Sequence, residues 1–252
     1  MKKFYAEKIA KSPRIDVLKE ELFKEMPQIE ADRAVLITES YKETEGESIY
    51  SRRSKAFEHI LDNIPIVIRP QELIVGSATI HPRSCQVFPE YSYEWLEAEF
   101  DTVATRSADP FYISEETKKT LHETYKYWKG KTNSDLATSY MAEETKRAMR
   151  HNMFTPGNYF YNGIGHVTVN YGKVLEGGYS AIIKETEEEL SKMKISDGNY
   201  CRKSEFLKAI IRSCKAVIRY ARRYAGLARD LAAKETDGKR RAELEQIAKN
   251  CE

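Results

Sequence analysis

The sequence predicts a mainly α fold with minor β, and three observations predict it. Apolar residues recur at helical spacing through most of the chain. One segment carries two short β-branched runs. Glycine, proline and capping residues fall at the breaks between these patterns. The 252 residues suit one large domain or two small ones, and 41% hydrophobic content is enough for a real core.

Residues 14–25 place Ile15, Leu18, Leu22 and Phe23 on one helical face. Residues 30–44 do the same with Ala34, Leu36, Ile37 and Tyr41, and Gly46 ends that helix. Residues 51–63 repeat the pattern with Ala56, Phe57, Ile60 and Leu61. The pattern then changes. Ile66–Ile68 and Leu73–Val75, parted by Arg69-Pro70-Gln71-Glu72, read as two short strands or a hairpin-like elbow. Pro82 and Pro89 keep the next stretch irregular, and residues 91–108 read as a short helix followed by a loop.

Ser114 is a suitable N-cap, with Glu115 and Glu116 in the first turn where the helix dipole favours carboxylates. That helix runs through Tyr127 and breaks at Gly130. Residues 134–151 form another helix, and 155–166 a loop. A long helix follows over 170–193, with Gly177-Gly178 as a weak point in its middle. The clearest periodicity comes next. Leu207, Ile210, Ile211, Cys214, Val217, Ile218, Ala221, Tyr224, Ala225, Ala228 and Leu231 step mostly by three and four. They define a long amphipathic helix over 198–235, with an apolar stripe that this segment alone is expected to leave uncovered. Thr236-Asp237-Gly238 interrupts it before a last helix over 239–250.

Several function classes are disfavoured. With 41 basic and 39 acidic side chains, a formal charge of +2 gives no electrostatic case for nucleic acid or a membrane surface. No apolar run approaches the ~18–20 residues that span a bilayer. The two lysines at the start have no apolar region behind them, which argues against a secretory signal. Cys85, Cys201, Cys214 and Cys251 are far apart and read as reduced packing thiols of a cytoplasmic protein. "GIGHVT" has a threonine where a dinucleotide fingerprint needs its third glycine. His59, His81, His122, His151 and His166 are too scattered to assemble a metal site.

His166 is the best single candidate for chemistry. It follows Gly165 just before a helix, with Tyr159, Tyr161 and Asn162 nearby. Glycine permits close backbone approach, and an imidazole there can donate or accept a hydrogen bond to a small polar ligand. The plainer reading is a histidine satisfied by backbone at a helix N-terminus. Glu72, between its two apolar runs, is a second candidate, against a turn residue in water. The aromatics of "FPEYSYEWLEAEFDT" are explained by packing more simply than by a stacking platform.

Six segments then occur in order: "DRAVLITESYKETEGES" (32–48), "IVIRPQELIVGS" (66–77), "VFPEYSYEWLEAEFDT" (87–102), "DPFYISEETKKTL" (109–121), "YWKGKT" (127–132) and "GIGHVTVNYGKVLEGG" (163–178). With them the chain resembles the N-terminal part of a glycyl radical enzyme of the pyruvate formate-lyase-like superfamily. It is most similar to the branch of glycerol and propanediol dehydratases and choline trimethylamine-lyase. The resemblance implies a ten-stranded α/β barrel wrapped in helices. Residues 1–252 would supply mostly outer helices and one or two strands, ending before the catalytic cysteine and the radical glycine. It also implies anaerobic cleavage of a small diol or polyol. A protein glycyl radical, installed by an activating enzyme that uses S-adenosylmethionine and an iron–sulfur cluster, would be carried outside this chain.

The implied partners are a small polar substrate, the activating enzyme, the missing C-terminal portion and a second copy in a homodimer. Neither nucleic acid nor membrane is expected. No cysteine here is followed by x-Glu, and no R-V-x-G-Y-type loop occurs, so no catalytic residue is expected in this chain and no cofactor bound by it. One family role carries over: the histidine of the Gly-His motif, here His166, contacts a substrate hydroxyl, and Tyr159 and Asn162 would line the same pocket. Formate-lyase-type C–C cleavage and a non-catalytic paralogue that binds a ligand or partner stand as the rival readings.

Overall fold

The computed structural model describes residues 12–154 and 168–252. Helix α1 (Pro13–Lys24) starts with proline at its first turn, where a missing N–H costs nothing. The two-residue strand β1 (Ile29–Glu30) leads into α2 (Asp32–Glu43), and α3 (Ile49–Asn63) follows, capped by Ser48, whose hydroxyl accepts from the Ser51 N–H at 3.2 Å. Strand β2 (Cys85–Gln86) runs parallel to β1, in the register Ile29 to Cys85 and Glu30 to Gln86. The short α4 (Glu94–Glu97) and a 3₁₀ turn (Val103–Thr105) precede α5 (Glu115–Trp128). The expected cap of α5 forms: Ser114 Oγ accepts from the Thr117 N–H at 3.0 Å.

Two cores result. In the first, α2, α3 and α5 bury Ala34, Ile37, Ile60, Leu121, Tyr125 and Trp128. Trp128 Nε1 donates to Thr38 Oγ1 at 2.7 Å, so the indole's polar atom is satisfied inside the core. The second core joins Ile68 to Tyr224, Ala228 and Ala232 of α9 (Tyr200–Lys234) and Leu244, Ile247 and Ala248 of α10 (Gly238–Cys251). Small alanines on α9 let α10 approach closely.

Four expectations need correction. Ile66–Ile68 and Leu73–Val75 form no strands. Arg69 instead holds the segment as an irregular loop: its Nη2 donates to the Thr79 and Ile80 carbonyls at 2.8 and 2.9 Å, and Gln71 sits at φ +66°. Ile68 is buried in the second core while Ile74 is 91% exposed, so packing, not pairing, uses the β-branched residues. The helix expected over 134–151 is two: α6 (Asn133–Ser139), with a reciprocal cap between Thr132 and Asp135, and α7 (Glu143–Arg150), parted by the extended Ala142.

The long helix α8 (Tyr171–Ser191) is broken at Gly178. The stripe of α9, expected to stand uncovered, packs against α3, α8 and α10. Arginines of α9 lock that contact. Arg219 spans Asp62 and Glu58, and Arg223 donates to the Leu61 and Ile64 carbonyls at the end of α3, where helix carbonyls lack intrahelical partners. Within the described residues the β structure is the β1–β2 pair and one Gln28–Tyr112 bridge, in keeping with mainly α, minor β.

Candidate functional site

His166, Tyr159 and Asn162 fall within 155–167 and lie outside the described residues. The structure describes the two anchors of that segment. On the incoming side α7 ends where the His151 N–H donates to the Arg147 and Ala148 carbonyls, and Asn152 turns the chain at φ +53°. On the outgoing side Asn170 caps α8, its Oδ1 accepting from the Lys173 N–H at 3.2 Å. The helix therefore begins where the sequence pattern places it. Its first N–H groups lack intrahelical partners, so this end carries partial positive charge. Met153, Tyr171 and Leu175 on these anchors are 77%, 72% and 84% exposed.

The other sequence candidates take structural roles. Glu72 folds back on its own turn: Oε2 accepts from the Arg69 N–H at 2.8 Å, and Oε1 pairs with Arg69 Nη1 at 2.9 Å. The turn reading of Glu72 is the one the geometry supports. In the aromatic segment Tyr93 stacks on Tyr125 at 4.6 Å, and Leu96 is buried. Trp95 stays half-exposed, with the Arg106 guanidinium 5.7 Å from its ring centre, beside a 380 Å³ cavity that Cys85, Phe88 and Phe111 also line.

Sequence reasoning missed two buried ionic clusters. Glu30 accepts from the Ile80 and His81 N–H groups, from His81 Nδ1 and from Gln86 Nε2, all at 2.9–3.0 Å. Arg33 meets Glu90 with two hydrogen bonds, at 2.5 and 3.1 Å, and lies 3.6 Å over the Phe88 ring. Four donors saturate Glu30, and Arg33 supplies two hydrogen bonds to Glu90, so both carboxylates bind the β1–β2 region to its surroundings. Their only signal in the sequence was two charges, Glu30 and Arg33, at the start of an apolar helix; the partners are some fifty residues away.

Three of the thiols are made poorer nucleophiles by their surroundings. Burial, and then the Glu30 charge, pushes the Cys85 thiol up, and burial does the same to Cys214 and Cys251. Among the described residues no three His, Cys, Asp or Glu side chains could together hold a metal ion, and no helix is long and apolar enough to cross a membrane.

Known proteins place this arrangement. The family described as pyruvate formate lyase-like matches residues 6–252. A solved structure concerned with 1,2-propanediol dehydration in Roseburia inulinivorans is 61% identical, with a TM-score of 0.92 over 96% of this chain and 29% of that one. The glycerol-bound form of the B12-independent glycerol dehydratase from Clostridium butyricum is 51% identical, with a TM-score of 0.91 over 96% of this chain and 31% of that one. The (2S)-3-sulfopropanediol dehydratase of Klebsiella oxytoca is 32% identical over 95% of this chain. The chain spans 30% of that relative's length.

Proposed function

Because the chain belongs to the pyruvate formate lyase-like family, we propose that it is the N-terminal portion of a glycyl radical dehydratase that cleaves a C–O bond of a small diol or polyol. The single observation that carries this reading is the structural likeness, across nearly the whole chain, to proteins named for propanediol and glycerol dehydration. Residues 1–252 would then be the front of a longer catalytic domain that works anaerobically in the cytoplasm, as a homodimer, with an activating enzyme as partner.

In this reading the radical glycine and the cysteine that faces substrate belong to the remainder of the enzyme, and they supply the hydrogen abstraction. The residues of this chain bind and orient. His166 offers an imidazole nitrogen to a substrate hydroxyl, fixing which C–O bond faces the reactive centre. Tyr159 and Asn162 line the same wall. The Asn170 cap and the firmly seated half of α8 hold the outgoing end of that wall. Its job is to hold geometry, so a small displacement there would cost turnover more than folding.

The test is to read the genomic frame onward from codon 252. The reading expects a Cys-x-Glu in the middle of the full frame and a radical-glycine loop near its end. A genome with neither motif in this frame or in an adjacent one contradicts it.

A further inference from the structure

Helix α8 is bent, and three features belong to the bend. Gly178 sits at φ +66°, ψ −179°, a backbone region essentially restricted to glycine. A Cβ added to Gly177 would lie 2.8 Å from the Ala181 Cβ, closer than side chains tolerate. Lys173 Nζ lies 2.7 Å from Glu185 Oε2. In an unbroken helix those two residues would stand about 18 Å apart along the axis and on different faces. That exceeds the combined reach of the two side chains, so the ion pair exists only while the helix is bent.

We propose that α8 is a two-state hinge: a bent form clasped by Lys173–Glu185, and a straight form in which Gly177-Gly178 adopt helical dihedrals and the clasp opens. Glycine is at ease in both conformations, which is why two adjacent glycines fit this point. Straightening restores the helical hydrogen bonds interrupted at Gly178. The clasp that opposes it is weak, since its side chains are 49% and 62% exposed and open to screening by salt.

The two sides of the hinge differ in anchorage. Beyond it, Thr186 is buried, its hydroxyl donates to the Ile182 carbonyl at 2.7 Å, and Glu187 pairs with Lys215 of α9. Before it, Tyr171 and Leu175 stand 72% and 84% exposed. Straightening therefore swings the short arm that carries these two apolar side chains and leaves the long arm seated on α9. The hinge rests on these residues alone and is independent of the diol reading.

Carbodiimide cross-linking of the folded chain, read by peptide mass spectrometry, tests it. This reagent joins a lysine to a carboxylate already in contact, and Lys192–Glu189, 2.7 Å apart at the end of the same helix, serves as the internal standard. The wild-type chain should yield the Lys173–Glu185 link. Gly178→Ala and, separately, Gly177→Ala should each lower it at least about tenfold against the standard while the helical circular dichroism signal rises, because alanine penalises the bend and favours the straight helix. A wild-type chain that forms the standard link but not Lys173–Glu185 has no clasp. Two alanine variants that keep the wild-type yield show that the bend does not depend on these glycines, and two that lose helical signal show that no straight state exists. Each of these three results overturns the proposal.

Discussion

The region built from α2, α3 and α5 and the region from α6 to α8 are held by different means. The first buries a continuous core in which Leu121 and Ala34 are fully enclosed, and ties it with the Arg33–Glu90 pair. In the second, α6 and α7 bury no residue at all, and Thr186 is the one buried residue of α8. Local devices order it instead: the Thr132–Asp135 box, the Asn170 cap and the Lys173–Glu185 clasp. Stability is thus concentrated in one region, and the candidate binding segment belongs to the other.

Substitutions can break or sharpen this contrast, and urea unfolding followed by circular dichroism would rank them. Arg33→Ala strands the buried Glu90 carboxylate and should cost about 3–5 kcal/mol. Leu121→Ala, at a fully enclosed position, should cost about 2–5 kcal/mol through lost burial and a residual cavity. Ser114→Ala removes the α5 cap and should cost about 1 kcal/mol.

Tyr125→Phe should be neutral or stabilise by up to about 1 kcal/mol. The Tyr125 hydroxyl is buried without a hydrogen-bond partner among the described residues, and burial pushes its ionisation well above the ordinary tyrosine range. Leu175→Ala, in the second region, should shift stability by less than about 0.5 kcal/mol. Should Leu175→Ala cost as much as Leu121→Ala, the contrast between the regions would be wrong.

The helices were legible because their apolar period is local, and the 198–235 stripe marked the longest of them within two residues. The β structure was not. Each strand has two residues, and β1 finds β2 across more than fifty positions, a pairing no local pattern encodes. The β-branched run at 66–75 misled for the same reason, since Arg69 reaches ten residues onward to hold a loop. The glycine pair at 177–178 was readable as a weakness in a helix but not as a bend, because the dihedral that glycine adopts is chosen by tertiary structure. Of the site, the Gly-His motif was visible as a pattern, whereas the Glu30 and Arg33 clusters depend on distant partners.

The central claim is that this chain supplies the substrate-orienting wall of a diol dehydratase, and an anaerobic assay of the activated, full-length enzyme tests it most directly. Wild type should convert glycerol or 1,2-propanediol to the aldehyde. His166→Ala should lower kcat/KM roughly 10- to 100-fold while leaving the circular dichroism spectrum unchanged, the loss expected for one hydrogen bond to a substrate hydroxyl. A wild-type enzyme inert towards both diols, or a His166→Ala variant that turns them over at the wild-type rate, would contradict the account.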